Sequence, residues 1–524
     1  MERCLLLSGI PVLIILRARF GTTNIIHSSW MTFVMARNLV EGNGLVFNPG
    51  ERVLATSSPL HAIVLGLAGV LVGPQLIPLL AVITNILFDT GSYWILNRWI
   101  YSATGSHWFA IACAWLFALD QLVIEYSSSG KDTSLYLFIL LACFLAFQER
   151  RATLVGILSG LAMICRPEGV LLGAVMLSFA AWRERVWPWR TTTIAAIISG
   201  TYYALTTWYY GSPIPQGVVA FWNSPQIHGA FGHWHTAYLF AIQAGFSLYG
   251  FAIWRVWHHW IWSQSLEVIF QVILIVGQIA LCVWGARQLA RRDLSIAASA
   301  VFTLLHAVFF SLGNPRMYGW YQVPLDPLIV IYLAGAIWMF CDKCGNLKKA
   351  LLWPMFLALQ CLHIAWAGDS RTLWLLADHW DRGPEQAMER ACTAIKKNGI
   401  KPTDTVLAIY PGIPRWRLDA RVWDMIGLSN PAALRYAKKV LRKDVWEKGN
   451  PSLSSDLVMD LKPRYLITTE WPQIQWYRKD PRFMQTYRLL NSDRVPPNPH
   501  YVRLPNILSS GDAIQTYVLI EKLR

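Results

Sequence analysis

The sequence is poor in charge for its length. Of 524 residues, only 15% are Asp, Glu, Lys or Arg, whereas a soluble domain carries about 25%. Apolar residues make up 54% of the chain, and the mean hydropathy is +0.35. This composition excludes an ordinary soluble globular protein and predicts that most of the chain is embedded in a membrane.

Several motifs that carry chemistry are also missing. The nine cysteines are scattered and form no disulfide framework, and the single Cys-x-x-Cys pair, Cys341 and Cys344, has no second pair with which to hold zinc. The histidines around His233 and His258 have no Cys or carboxylate at ligand spacing, so we expect them to lie at the membrane interface. Gly-rich phosphate loops and nucleophile elbows are absent. The residues therefore predict no metal site.

Trp and Tyr, in contrast, are numerous, at 27 and 20 residues. Such side chains concentrate at membrane–water interfaces, although stacking on sugar rings would give the same composition. The net charge is +15, and residues 368–524 hold 25 Lys and Arg against 17 Asp and Glu. Because no nucleic-acid recognition motif accompanies this charge, we expect the basic part to face anionic lipid rather than nucleic acid.

Apolar segments of spanning length run through most of the chain. A helix needs about 20 mostly apolar residues to cross a bilayer, so the pattern predicts about eleven to thirteen membrane helices. No small-residue cleavage site follows the first apolar run, which indicates an uncleaved span. The predicted spans are 4–20, 57–73, 75–97, 107–124, 133–148, 153–165 with 168–182, 191–209, 235–253, 266–286, 296–312, 323–341 and 350–367.

The segment 153–182 is apolar except for Arg166, Pro167 and Glu168. It is too long for one simple span and short for two. Because proline removes a backbone donor and ends a helix, we predict two half-helices that meet at a charged break. An unpaired arginine is costly in lipid, so Arg166 is either paired with a bound phosphate or salt-bridged to Glu168.

A polar segment, residues 21–57, separates the first two spans. Ser28 or Ser29 is the predicted N-cap of a helix over residues 30–41 that would lie along the membrane interface. Two other polar stretches, 210–234 and 313–322, cannot cross lipid, because their backbone groups would lack hydrogen-bond partners there.

The pattern changes near residue 368. The stretch PEQAMERACTAIKKNG has helical spacing, and TVLAIYP and RYLITT are short strand-like runs. We therefore predict a transmembrane domain over residues 1–367, with its first loop at 21–57, and a small soluble α/β domain over residues 368–524.

Six motifs, taken in order, resemble those of bacterial membrane glycosyltransferases of the GT-C fold, the group that includes the mycobacterial terminal arabinofuranosyltransferase. Individually each motif is weakly specific, and their order along nearly the whole chain carries the resemblance. They read ARNLVEGNGLVFNPGERVLATSSPL (36–60), SSGKDTSLY (128–136), LVGILSGLAMICRPEGVLL (154–172), YYGSPIPQ (209–216), MYGWYQVPLDPL (317–328) and VWDMIGLSNP (422–431).

The resemblance implies a polytopic α-helical enzyme of a bacterial plasma membrane, with the first loop and the C-terminal domain outside the cytoplasm. Such an enzyme moves a sugar from a polyprenyl-phosphate donor to a glycan or lipid acceptor of the cell envelope, with inversion at the anomeric carbon. Related enzymes differ in their need for a divalent metal, and this chain shows no evident carboxylate cage for Mg²⁺ or Ca²⁺. The cofactor therefore stays open.

The family's general base is an acidic pair near the start of the first loop, and here the chain departs from the pattern. His27 and Ser28 occupy the matching positions, and residues 20–40 contain no carboxylate. His27 is one candidate base, because imidazole titrates near neutral pH. Glu41 and Glu51, later in the loop, are the others.

Because the acidic pair is missing, an alternative hypothesis is that the chain is a non-catalytic relative of these enzymes that binds lipid-linked glycans. A secondary transporter is a third hypothesis, supported only by the break at Arg166 and weakened by the lack of a second, symmetric break.

The candidate donor-phosphate residues are Arg166 and Arg316. Asp132 either binds a sugar hydroxyl or caps the following helix, and Trp320 and Tyr321 are candidates for the substrate groove.

Overall fold

The structure is a computed structural model, and the part of the chain that it describes is mainly helical with one small sheet. Its helices follow one another along the chain and are numbered in that order. The described residues are 2–21, 25–223, 264–313, 319–342, 382–437, 455–469, 480–494 and 513–519. The helices are α1 Glu2–Gly21, α2 Ser29–Val40, α3 Pro59–Val72, α4 Ile77–Thr104, α5 His107–Ala118, α6 Gln121–Ser128, α7 Thr133–Gln148, α8 Ala152–Cys165, α9 Gly169–Glu184, α10 Trp189–Tyr210, α11 Gln216–Asn223, α12 Gln264–Ala290, α13 Leu294–Gly313, α14 Asp326–Asp342, α15 Arg382–Lys397, α16 Gly412–Arg417, α17 Ala433–Ala437, α18 Ser455–Leu461 and α19 Pro481–Thr486.

Residue contacts divide the chain into two compact units. The first, which we call the helical unit, comprises Met1–Thr22, Val82–Tyr202 and Phe231–Trp374. The second, the mixed unit, comprises Thr23–Ala81, Tyr203–Ala230 and Leu375–Arg524. The predicted boundary between residues 367 and 368 stays a prediction, and the contacts add to it that the first loop packs with the C-terminal residues.

Within the part of the chain that the structure describes, few helices are both long and apolar enough to cross a membrane. Pro74–Thr104 and Leu294–Gly313 meet that description. A third span results if His107–Ala118 and Leu122–Ser128, which bend by 51° at a short break, are counted together. The predicted spans at 235–253 and 350–367 lie outside the described residues.

Inside the helical unit, a buried ion pair joins the first helix to its neighbours. Arg17 Nε lies 2.5 Å from Asp89 Oδ2, and both side chains are fully buried. The same guanidinium donates to the carbonyl of Ala118 at 2.8 Å. A buried charge must be paired in this way, and the pair fixes α1 against α4 and the end of α5.

The mixed unit contains a five-stranded sheet in the order β2-β1-β3-β5-β4. β1 pairs in parallel with β2 and β3, whereas β5 runs antiparallel to β3 and β4. The predicted strand-like runs are confirmed as β1 and β3, and the predicted helix is confirmed as α15. The strands are β1 Thr405–Ala408, β2 Arg421–Asp424, β3 Tyr465–Thr469, β4 Tyr487–Arg494 and β5 Ala513–Leu519.

The first-loop helix α2 is buried in the core of the mixed unit. Phe33, Val34 and Met35 are fully buried in a cluster that also contains Val406 of β1 and Ile467 of β3. The predicted helix is therefore confirmed, whereas its position along the membrane interface stays a prediction. The predicted cap is wrong: Ser28 occupies the N-cap position but makes no side-chain capping hydrogen bond.

Asn48 of the first loop completes the β2 edge of the sheet. Its Nδ2 donates to the Val422 carbonyl at 2.9 Å, and the Val422 amide donates to its Oδ1 at 3.1 Å. The side-chain amide thus replaces a neighbouring strand, and Asn48 is buried. An edge that is covered in this way has no unpaired groups at Val422 with which to bind another chain.

We expect Asn48→Ala to lower the free energy of unfolding by about 2–3 kcal/mol, because both backbone groups of Val422 would stay buried without a partner. Chemical unfolding of the detergent-solubilised protein measures this change. Asn43→Ala, at an exposed position of the same loop, is the matched control, with an expected change below about 0.5 kcal/mol. Equal effects of the two substitutions would contradict the pairing.

Candidate functional site

The charged break between α8 and α9 is confirmed. α8 ends at Cys165 and α9 begins at Gly169. Arg166 adopts an extended backbone, as expected for a residue that precedes proline. At Gly169 a Cβ atom would overlap the carbonyl group of Ala162, so only glycine permits α9 to begin this close to α8. Pro167 and Gly169 therefore determine where the Arg166 side chain is placed.

Arg166 is buried between two carboxylates. Its Nε lies 3.1 Å from Glu168 Oε1 and 3.2 Å from Asp132 Oδ2, and the side chains of Arg166 and Glu168 are 5% and 3% exposed. The predicted salt bridge to Glu168 is thus confirmed. The predicted capping role of Asp132 is wrong, since its side chain makes no capping hydrogen bond to α7 and pairs with Arg166 instead.

Aromatic side chains surround the guanidinium. The rings of Tyr136 and Tyr321 lie 5.5 Å and 5.8 Å from its central carbon. Arg166 Nη1 also donates to the Trp320 carbonyl at 3.1 Å, and His306 Nε2 lies 2.9 Å from the Tyr321 carbonyl. Four predicted site residues are therefore brought together in the helical unit: Asp132, Arg166, Trp320 and Tyr321. Arg316 lies outside the described residues.

A second cation, Lys131, adjoins this group. Its ammonium lies 4.3 Å from the centre of the Trp320 ring. Burial lowers the pKa of Lys131 to about 8, while Asp132 raises it and Arg166 lowers it further. We call Lys131, Asp132, Arg166, Glu168 and Trp320 the polar centre of the helical unit.

The first-loop candidates lie in the mixed unit. His27 is half-buried, and its ring centre lies 4.3 Å from that of Tyr410, which follows β1. Glu41, at the end of α2, lies 3.8 Å from Arg37 and is 41% exposed. His27 is thus held beside the sheet, whereas Glu41 is a loosely paired surface carboxylate.

Glu51 has three polar partners. Its Oε1 lies 3.2 Å from Arg421 Nε and accepts a hydrogen bond from Trp423 Nε1 at 3.1 Å, and its Oε2 accepts from Asn48 Nδ2 at 2.9 Å. These contacts join the first loop to β2. Glu51 therefore has a structural role, which the local sequence pattern did not indicate.

The Asp-x-x-Gly-Leu sequence within the motif VWDMIGLSNP (422–431) is also structural. The carboxylate of Asp424 is fully buried and accepts hydrogen bonds from the backbone amides of Leu428 and Asn430, at 2.7 Å and 3.0 Å. Gly427 in the same turn has a φ of 94°, which favours glycine. Asp424 therefore holds the loop that follows β2.

Gln216 connects three of the sequence motifs. Its side-chain nitrogen donates to the Gly427 carbonyl at 2.8 Å, and its backbone amide donates to the carbonyl of Leu54 at 2.8 Å. Sequence reasoning overlooked Gln216 and also Lys131, Tyr136 and His306. One local signal was available: Tyr136 lies four residues after Asp132, on the same face of α7.

Comparisons with known proteins show which folds this chain is similar to. No protein-family model matches the sequence, and no curated protein matches it. Among solved structures, ArnT from Cupriavidus metallidurans bound to undecaprenyl phosphate matches with a TM-score of 0.55 and 12% identity, over 97% of both chains. ArnT in the apo state matches with a TM-score of 0.51 and 14% identity, over 87% of this chain and 94% of that one.

The apo oligosaccharyltransferase of Archaeoglobus fulgidus matches with a TM-score of 0.50 and 12% identity, over 89% of this chain and 69% of that one. All of these proteins are GT-C glycosyltransferases. The chain has the GT-C fold. The sequence-based prediction of this fold is thereby confirmed, and at such low identities the likeness extends to the fold alone.

We expect Arg166→Met to lower the free energy of unfolding by about 3–5 kcal/mol, because two carboxyl groups would stay buried without their cation. The triple variant Arg166→Met/Asp132→Asn/Glu168→Gln should recover part of the loss, since no buried charge remains. Chemical unfolding in detergent measures both variants.

The control is Arg98→Met, which removes an arginine that is 64% exposed and paired with Glu149. It should cost less than about 1 kcal/mol, as exposed ion pairs do. A loss for Arg166→Met no larger than that of the control would show that the buried pairing contributes nothing to stability.

Proposed function

We propose that the chain is a membrane glycosyltransferase that moves a sugar from a polyprenyl-phosphate donor to a glycan or lipid acceptor of the bacterial cell envelope. The observation that carries the proposal is the GT-C fold over nearly the whole chain, shared with an enzyme that was crystallised with undecaprenyl phosphate. The polar centre supports it, because cations and aromatic rings there suit a sugar attached to a phosphate.

The chain is proposed to be a polytopic protein of the plasma membrane with about eleven to thirteen spans. The helical unit supports this, because it exposes many large apolar side chains, and a surface of this kind is rare on a soluble protein. Leu87 is 65% exposed, Leu304 63% and Leu312 72%. The first loop and the C-terminal α/β domain are proposed to lie outside the cytoplasm.

The proposed reaction is an inverting displacement. The acceptor hydroxyl attacks the anomeric carbon as the bond to the phosphate oxygen breaks, a base takes the hydroxyl proton, and polyprenyl phosphate leaves with the bonding electrons. Arg316 is the proposed donor-phosphate residue, and Arg166, the other candidate from the sequence, already pairs with Asp132 and Glu168 and is proposed to border the phosphate. Asp132, Trp320 and Tyr321 are proposed to line the groove for the sugar.

His27 is the proposed base of the first loop, with Glu41 and Glu51 as its alternatives. Within the mixed unit, Glu51 is bound to three partners and Glu41 pairs with Arg37, and these contacts weigh against either carboxylate as the base. In the described residues no group of three or more His, Cys, Asp and Glu side chains could hold a metal ion.

The alternative function is a non-catalytic relative that binds lipid-linked glycans. The absence of a carboxylate from residues 20–40 is the observation that favours it. Purified protein incubated with a panel of labelled polyprenyl-phosphate sugars and envelope acceptors separates the two functions. An enzyme releases polyprenyl phosphate in step with the glycosylated acceptor, whereas the alternative predicts donor binding without release.

We expect His27→Gln to lower kcat by about 100-fold or more, because the acceptor hydroxyl would lose its proton acceptor. Glu41→Gln and Glu51→Gln should stay within about 5-fold of the wild type when compared per folded molecule. Turnover of labelled donor measures all three, with Asn43→Ala as an exposed first-loop control. A 100-fold loss in Glu41→Gln with normal turnover in His27→Gln would transfer the base to Glu41.

A further inference from the structure

The backbone of Lys131 is held firmly in the short loop between α6 and α7. Asn85 Nδ2 donates to the Lys131 carbonyl at 2.9 Å and to the Ser127 carbonyl at 2.8 Å. Asn85 is fully buried in α4. Gly130, just before the lysine, has a φ of 74° and supplies the turn. The backbone position of Lys131 is therefore fixed by α4, by α6 and by the turn at Gly130.

The Lys131 ammonium faces an aromatic ring rather than a carboxylate. It lies 4.3 Å from the centre of the Trp320 ring, and among the described residues no carboxylate oxygen lies within 4.0 Å of it. Trp320 is itself held in place, because Arg166 donates to its carbonyl and Tyr126 packs edge-on against its ring at 6.1 Å. Lys131 thus has a rigid aromatic neighbour, and within the described residues its ammonium forms no ion pair, although the Asp132 carboxylate acts on it electrostatically.

Arg166 differs from Lys131 in its charge balance. Two carboxylates pair with its guanidinium, those of Asp132 and Glu168. An anion that binds Arg166 must compete with both of them. A cation–π contact contributes only about 0.5–2 kcal/mol and leaves the charge of an ammonium uncompensated. An anion beside Lys131 would therefore gain an ion pair without displacing one.

We propose that Lys131 binds the phosphate group of a polyprenyl-phosphate lipid, while Arg166 acts as a positioning residue that holds Trp320 and Asp132 around it. This inference rests on the proposed function and names the residue that contacts the donor's phosphate. An ammonium has three donors and suits phosphate oxygens as a point charge. Trp320 occupies one side of that ammonium, and the proposal places the phosphate on another side.

The titration of Lys131 gives the proposal a distinct signature. Its pKa is lowered to about 8 by burial, with Asp132 and Arg166 as the charged groups that act on it. A phosphate monoester is fully ionised above about pH 7, since its second pKa is near 6. Binding that depends on the Lys131 charge should therefore weaken as the pH rises above about 8. Arginine at this position stays charged, so Lys131→Arg should remove the pH dependence.

The experiment measures equilibrium binding of undecaprenyl phosphate to the full-length protein in detergent micelles. We expect Lys131→Met to weaken binding about 10-fold or more at pH 7, and Lys131→Arg to stay within about 3-fold of the wild type. Arg98→Met, which removes a cation from an exposed ion pair of the same unit, is the matched control and should bind normally. Thermal unfolding of each variant confirms that it is folded.

Three further ligands identify the group that is recognised. Undecaprenol lacks the phosphate and should bind at least about 10-fold more weakly, with no difference between wild type and Lys131→Met. Inorganic phosphate and phosphatidylglycerol should not compete at equal concentration. Equal competition by either would assign Lys131 to a free-phosphate or general headgroup site and overturn the proposal.

Failure of this inference can be told from failure of the proposed function. If the wild type binds and transfers but Lys131→Met binds as tightly, Lys131 does not contact the phosphate and the transferase stands. If the wild type binds no undecaprenyl phosphate, both are wrong. Should Lys131→Met fail to fold, the pH profiles of the wild type and Lys131→Arg decide, and identical profiles overturn the proposal.

Discussion

An arginine buried among apolar helices is stable only beside negative charge, and Arg166 meets this requirement with two carboxylates. The arrangement of the polar centre follows from that pairing. Glu168 lies on the arginine's own break, Asp132 comes from the start of α7, and the carbonyl of Trp320 accepts a further hydrogen bond. Three segments that are distant in sequence are held around one guanidinium. Removing the charge would therefore disturb the placement of its neighbours as well as their electrostatics.

In the mixed unit the corresponding constraint is the pairing of backbone groups at the edge and ends of the sheet. Asn48 replaces a strand at β2, Asp424 accepts from the amides of the loop that follows, and Gln216 joins that loop to the first loop. These residues belong to three of the motifs that carry the family resemblance. Their contacts explain the motifs as devices that set loop conformation. The motifs therefore support the fold more directly than they support any one chemistry.

Local patterns predicted the features that depend on neighbouring residues. The break at Pro167, the helix α2 and the strands β1 and β3 follow from proline stereochemistry and periodicity. The partners of Glu51 could not be predicted, because Arg421 and Trp423 are more than 360 residues away in the chain. Asp132 was misread for the same reason: a carboxylate before a helix favours a cap locally, and an ion pair with a distant arginine outweighs it.

In the proposed reaction, a histidine base and a carboxylate base differ in the charge that they carry. A carboxylate base becomes neutral when it takes the acceptor proton, whereas an imidazole becomes positive. In the same step the departing phosphate gains a negative charge. Either base gains one positive charge as the leaving group gains one negative charge; the two differ in that a carboxylate goes from negative to neutral and an imidazole from neutral to positive. The proposal that His27 is the base therefore keeps a proton acceptor in the first loop and changes the charge that this acceptor carries before and after the transfer.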